Sequence, residues 1–284
     1  MLGKLLKYEF KATARIFLLL YAALFVVAGL NALLLSLSGY VYAGFSNEVM
    51  VVIYDTITAL AVFLYVMISI AVIIATIIVF IVRFYRMLGN EGYLWFTLPV
   101  TVNQHIISKL IPAFVWSVLS GLVFFVSLGV LMMPLVGTDL FQLMPIVWNE
   151  FIGLGLNPTL WLVCLVVLLV IALLQGYLMF YAAMAMGPNI VKSRLGGSVL
   201  AYLLLYIATQ IVATIQMVLL VIPLNAQVSA IESAMMWGNF TGIISAVDQI
   251  VLFGTICYCV GYLILGAIFY LLTRYFMSRK LNLA

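Results

Sequence analysis

The side chains best able to do chemistry in this chain are few, and their spacing works against them. One histidine, His105, stands among 284 residues with three cysteines, Cys164, Cys257 and Cys259. Cys257 and Cys259 are two apart, so on a helix their side chains diverge by about 200°, which suits neither a disulfide nor a shared metal ion. All three cysteines fall in apolar runs and read as small apolar fillers. His105 reads as a lone, solvated or headgroup-facing residue. The sequence contains no H-E-x-x-H, no G-x-S-x-G and no phosphate-cradling G-x-x-x-x-G-K-[ST] loop. No catalytic residue is assigned, no metal or cofactor is expected in the chain, and any chemical energy would have to come from a partner.

What the sequence offers instead is neutral polarity at helical spacing. Thr58, Tyr65, Ser69 and Thr76, continued by Arg83, lie within about 20° of one meridian at about 100° per residue. Tyr202, Tyr206, Thr209 and Gln216 lie within about 40° of a second meridian by the same arithmetic. Such stripes either line a pathway or hold helices together, where each hydroxyl or amide contributes about 0.6–2 kcal/mol. Hydroxyls and tyrosines without fixed charge would suit amphipathic or lipidic cargo better than ions or sugars. Weaker signals are Gln175, Tyr177 and Tyr181, which read as packing partners, and the small-xxx-small pair Ala183 and Gly187.

A third cluster is apolar. The stretch 83–109, RFYRMLGNEGYLWFTLPVTVNQHIISK, is too hydrophobic for a solvated loop. Asn90 can cap a short helix whose first turn carries Glu91, a charge that suits the helix dipole. Tyr93, Leu94, Trp95, Phe96 and Leu98 then crowd together. Pro99 ends that helix, and Thr101 can cap the next one. These large side chains require burial, either in the lipid interface or in a groove on another protein.

The elements that would position these residues are membrane spans. The chain is 68% hydrophobic and 7% charged, with a mean hydropathy of +1.33, too apolar to stay in water. A hydrocarbon core about 30 Å thick needs roughly 20 apolar residues per helix. Six stretches qualify, at 14–37, 51–82, 110–135, 160–186, 198–222 and 249–275. No signal peptide is expected, because the first run is span-length and lacks a small-residue cleavage pattern. The twelve basic residues, Lys4, Lys7, Lys11, Arg15, Arg83, Arg86, Lys109, Lys192, Arg194, Arg274, Arg279 and Lys280, then share one side of the bilayer. Short basic loops stay in the cytoplasm, which predicts cytoplasmic termini. Glu48, Asp55, Asp139, Glu150, Glu232 and Asp248 fall on the opposite side, leaving Glu9 and Glu91 inside. The net charge of +4 thus points to anionic lipid headgroups and not to nucleic acid, and Lys192 and Arg194 read as lipid anchors.

Two flanking regions carry their own expectations. Residues 1–13 set Leu2, Leu5, Leu6 and Phe10 against Lys4, Lys7 and Lys11, as in an amphipathic helix on the inner surface; a frayed basic tail is the plain alternative. Residues 224–248 read as two short helices at 230–237 and 241–247, forming either a re-entrant lid or an extracellular cap. The span centres hold no ionisable residue, which disfavours a carrier driven by protons or sodium. No linker or repeat appears, so a single domain over 1–284 is expected.

With these pieces in place, the 83–109 stretch resembles a known family. Glu91 and Gly92, then Leu94, Phe96, Thr97 and Leu98, then Pro99, Val100, Thr101 and Lys109 are similar to the E-x-G-T-L-x-x-L-x-x-P-V-S…K segment of ATP-binding-cassette exporter permeases of type V fold. Gly92 and Tyr93 depart from the G-T that many relatives carry. The E-G-Y-L-x-F-T-L-P form looks most like small Firmicutes permeases that export peptides of the phenol-soluble modulin kind. The resemblance implies an all-α, six-span permease of type V fold, with residues 90–99 as the coupling helix. Glu91, Tyr93, Leu94, Phe96 and Leu98 would then enter a groove on an ATPase subunit, with Arg83 and Arg86 at its edge. It further implies two such ATPase subunits supplying ATP and Mg, a second permease copy, and a bacterial plasma membrane. The second and fifth spans would face the central cavity, which makes their stripes candidate substrate-pathway residues.

The expected function is export of hydrophobic or amphipathic substrates, peptides in particular. Its rivals are a polytopic scaffold or sensor that uses the same apolar segment for another partner, and an ion-driven secondary transporter.

Overall fold

In the computed structural model, residues 2–44, 48–89, 100–137, 140–191, 193–238 and 240–279 are described. Every described element is helical: α1 Leu2–Gly44, α2 Glu48–Leu88, α3 Val102–Val136, α4 Leu140–Gly153, α5 Pro158–Met186, a 3-10 turn Gly187–Asn189, α6 Arg194–Met236 and α7 Phe240–Arg279. Six of these helices are long and apolar enough to cross a membrane. Helix is the physical answer to such sequences, because in hydrocarbon each backbone polar group must be satisfied within its own segment.

Local chemistry sets the helix ends. Asn157 caps α5, its side-chain oxygen accepting from the backbone N–H of Leu160 at 3.3 Å, with Pro158 at the first helical position. Thr101 and Gln104 cap α3 reciprocally: Thr101 N–H donates to Gln104 Oε1 at 3.1 Å, and Gln104 N–H donates to Thr101 Oγ1 at 3.4 Å. This is a capping box, and Thr101 takes the role its sequence context predicts. Gly238, at φ +65°, turns the chain between α6 and α7.

The chain packs as two compact units. Unit 1 comprises Met1–Val82 and Ile111–Pro145, and unit 2 comprises Arg83–Leu110 and Ile146–Ala284. The sequence reads as one domain because α2 and α3 each run through both units and no linker marks the division.

In unit 1, α2 runs antiparallel to α1 and α3. Phe17 of α1 stacks on Phe80 of α2 at 5.8 Å and on Trp116 of α3 at 4.7 Å between ring centroids. Asn31 donates its side-chain amide to the carbonyl oxygens of Val27 and Ala61, each at 2.9 Å, tying α1 to α2. In unit 2, α5 and α7 run parallel, with α6 antiparallel to both. Small buried residues, Ala182, Ala183 and Ala185, let α5 meet its neighbours closely.

Three expectations change. Residues 2–13 form no separate surface helix but continue into the first span without a turn. Glu9 and Thr13 share one buried line with Phe17, Tyr21 and Leu24, while Lys4, Lys7 and Lys11 are exposed. The expected short helices at 230–237 and 241–247 are instead the last turns of α6 and the first turns of α7, because apolar periodicity continues through them. Finally, α4 is a 14-residue helix absent from the sequence reading. Its apolar run is shorter than a span and is broken by Pro145, Asn149 and Glu150.

Candidate functional site

The aromatic segment 90–99 lies outside the described residues, and with it Glu91, Tyr93, Leu94, Phe96 and Leu98. Both of its flanks are described and belong to unit 2. On the first flank, the last turns of α2 bury Phe84, Met87 and Leu88. Phe84 lies flat on Tyr181 of α5, the ring centroids 3.9 Å apart and the planes 6° from parallel. Gly89 N–H closes the end of α2 on the carbonyl oxygen of Arg86 at 3.0 Å. Arg194, at the start of α6, sets its guanidinium over the Tyr85 ring at 5.6 Å, a cation–π contact. Half-buried Arg194 thus makes a contact within the protein that its expected role as a lipid anchor did not include. Arg83 is half-buried and Arg86 exposed.

The second flank begins at the Thr101–Gln104 box and continues through Ile106, Ser108 and Lys109, all buried. His105, expected in solvent, is only 1% exposed, and Lys109 only 4%. The reason is periodicity. Ile106, Ala113 and Trp116 form the buried stripe of α3, and residues 105, 108 and 109 fall on the same helical face. A polar residue at the head of an apolar stripe follows the stripe inward, a signal present in the sequence but outweighed by the residue type.

The two polar stripes separate. On α2, Tyr65, Ser69 and Thr76 are all buried. Tyr65 hydroxyl meets Ser127 Oγ at 3.0 Å, and Thr76 Oγ1 meets Ser120 Oγ at 2.9 Å, both on α3. Ser69 donates back to the carbonyl oxygen of Tyr65 at 2.8 Å, and half-buried Thr58 to that of Tyr54 at 3.0 Å. Two hydroxyls of this stripe, those of Tyr65 and Thr76, therefore join α2 to α3 within unit 1, while those of Ser69 and Thr58 bond within α2. On α6, Tyr202 stacks on Phe180 at 4.8 Å and on Tyr206 at 6.4 Å, and Tyr206 is 45% exposed. Thr209 donates to the carbonyl oxygen of Leu205 at 2.9 Å and approaches Met179 Sδ at 3.7 Å. Gln216 is 8% exposed and donates its side-chain amide to the carbonyl oxygen of Cys257 on α7 at 2.7 Å. Its Oε1 is buried without a hydrogen-bond partner among the described residues.

Two clefts open between α6 and α7, which the sequence reading did not foresee. One, of about 280 Å³, lies among Leu220, Leu224, Ile250, Phe253 and Ile256. The other, of about 510 Å³, lies towards the α6–α7 turn among Ser233, Trp237, Ser245 and Ala246. Gln227 and Gln249 border both and hydrogen-bond each other at 2.8 Å. The cysteines are free thiols, Cys164 and Cys259 buried and Cys257 half-buried. Among the described residues, no cluster of three or more His, Cys, Asp or Glu could hold a metal ion.

No family model, no curated protein and no solved structure matches this chain.

Proposed function

We propose that the chain is the permease subunit of an ATP-driven exporter, multi-pass in a bacterial plasma membrane with both termini in the cytoplasm. In this reading it works as a homodimer with two copies of a separate ATP-binding-cassette ATPase, which hold ATP and Mg. Its cargo is hydrophobic or amphipathic, peptides first. The observation that carries the reading is the apolar sequence at 90–99, whose two flanking segments are buried in one unit. The described residues reach it directly, Gly89 on one side and Val100 on the other. A partner closing on Tyr93, Leu94, Phe96 and Leu98 would move its mounts with little slack. The Phe84–Tyr181 stack would pass that motion to α5, the Arg194–Tyr85 contact to α6, and the capping box to α3. In this reading the cargo wall is sought first on the α6 stripe, where Tyr206 is accessible, the hydroxyls of Tyr65 and Thr76 on the α2 stripe being engaged with α3.

The test uses inside-out vesicles from cells producing the chain with its ATPase, supplied with a fluorescent amphipathic peptide. ATP-dependent accumulation is expected. Leu94→Asp with Phe96→Asp should reduce it about tenfold or more, as for an interface anchor worth about 1.4 kcal/mol, while insertion stays normal. Accumulation driven by an imposed ion gradient without ATP would favour a secondary transporter. A chain that carries no cargo under either condition and gains no nucleotide dependence would favour a scaffold.

A further inference from the structure

We propose that the α6–α7 hairpin holds a binding site for a single-chain amphiphile with an uncharged, hydrogen-bonding head. The two clefts differ in chemistry and are stacked along the same pair of helices. Next to the turn, Ser233, Ser245 and Trp237 supply hydroxyls and an indole edge. About two turns deeper, Leu220, Leu224, Ile250, Phe253 and Ile256 present only hydrocarbon. The antiparallel register keeps these zones aligned, since Gln227 lies beside Gln249 and Gln216 lies beside Cys257. Each zone is of the order found for small-molecule sites, about 300–1,000 Å³, and the apolar one extends roughly 6 Å along α6 from Leu220 to Leu224 and roughly 9 Å along α7 from Ile250 to Ile256.

The Gln227–Gln249 pair sits at the junction. One amide–amide bond between them leaves a carbonyl acceptor on Gln227 and an amide donor on Gln249 for a third group. A hydroxyl or amide of a ligand's head satisfies both. Among the described residues, no Lys, Arg, Asp or Glu lines either cleft. A phosphate or carboxylate head would therefore gain no ion pair there, whereas an uncharged hydrogen-bonding head finds the amides and hydroxyls it needs. Asp248, on the neighbouring position of α7, accepts from the indole N–H of Trp161 at 2.8 Å, and its charge further disfavours an anionic head. The zonation thus selects an uncharged head next to the turn, with an alkyl chain running inward between α6 and α7.

The experiment uses the purified full chain in phosphatidylcholine nanodiscs, with a monoacylglycerol bearing a diazirine in its chain. Crosslinks mapped by mass spectrometry should concentrate in 220–256, and excess monoolein should suppress them. Oleate and lysophosphatidylcholine of the same chain length should compete about fivefold less well, because their heads find no partner charge. Gln227→Leu with Gln249→Leu should lower labelling about fivefold. Leu224→Trp, which fills the apolar zone and spares both glutamines, should lower it comparably if the double variant does not fold. Equal labelling by a headless alkyl diazirine, equal competition by all three amphiphiles, or labelling unchanged by Leu224→Trp would overturn the proposal. The assay contains no ATPase, so its outcome is independent of whether the chain is an exporter.

Discussion

Unit 1 and unit 2 are both assemblies of long apolar helices, yet different chemistry joins their helices. In unit 1 bulky polar side chains reach across: Tyr21 and Thr76 converge on Ser120 at 2.7 and 2.9 Å, Tyr65 meets Ser127, and Asn31 reaches α2. In unit 2 polar contacts also cross, as from Gln216 to Cys257 and from Trp161 to Asp248, but small residues bring backbones together as well. A side chain added at Gly197 would run into the backbone of Gly187, and one added at Gly187 into Ser198. The contrast follows from the solvent. Lipid tails are as apolar as leucine, so helices in a bilayer associate through hydrogen bonds or through close van der Waals approach, and hydrophobicity does not choose between these routes. The polar route fixes register, whereas the small-residue route fixes distance and leaves room beside it, as the α6–α7 clefts do.

The comparison is broken most severely at the small-residue contacts. Gly197→Val places its side chain against the Gly187 carbonyl, a backbone atom that cannot turn aside. Overpacking of this kind destabilises by about 1–3 kcal/mol, and the upper end is expected here. Denaturant titration of the purified protein measures it, and a loss no greater than that of an exposed substitution such as Leu203→Ala would mean that α5 and α6 do not approach this closely.

Next comes the crossing of α6 and α7, where the two routes meet. A side chain at Gly261 would overlap the amide of Gln216. Gly261→Ala is expected to destabilise by about 1–2 kcal/mol on its own and by much less when Gln216 is already Ala. That coupling is the quantity a double-mutant cycle isolates. Additive losses would show that Gln216 does not cross to α7 at this glycine.

How much of this was readable in advance depended on whether one helix sufficed to see it. The six long apolar helices, the Thr101 cap and the exposure of Lys4, Lys7 and Lys11 rest on periodicity and local hydrogen bonding within a single helix, and they are legible in the sequence. The fate of the stripes is not. Tyr65 and Gln216 sit in equally clear stripes, but only the neighbouring helix decides that Tyr65 meets a serine and Gln216 a main-chain carbonyl. His105 misled because a titratable side chain argues for solvent, while its position on the Ile106–Ala113 face argues for burial, and the face prevailed. The α6–α7 clefts had no single-helix signature, since each of their walls looks like ordinary apolar span with a glutamine near its end.

The finest distinction lies between the stripes themselves. Ser120→Ala removes a hydroxyl that serves both Tyr21 and Thr76, so two inter-helix hydrogen bonds go at once, while Tyr21 keeps the Trp116 carbonyl and Thr76 that of Val72. A loss of about 1–2 kcal/mol is expected, at the upper end for hydrogen bonds between helices in a membrane. Gln216→Leu should come in at or below about 0.6 kcal/mol, the average for such bonds. Leucine keeps most of the volume, the Cys257 carbonyl retains its place in α7, and the buried Oε1 that has no donor disappears with the amide. The same denaturant titration ranks the two. If Gln216→Leu cost as much as Ser120→Ala, the amide would be holding α6 to α7 as firmly as the serine holds three helices together. The α6 stripe would then be structural glue like that of α2, and the cargo wall would shrink to Tyr202 and Tyr206.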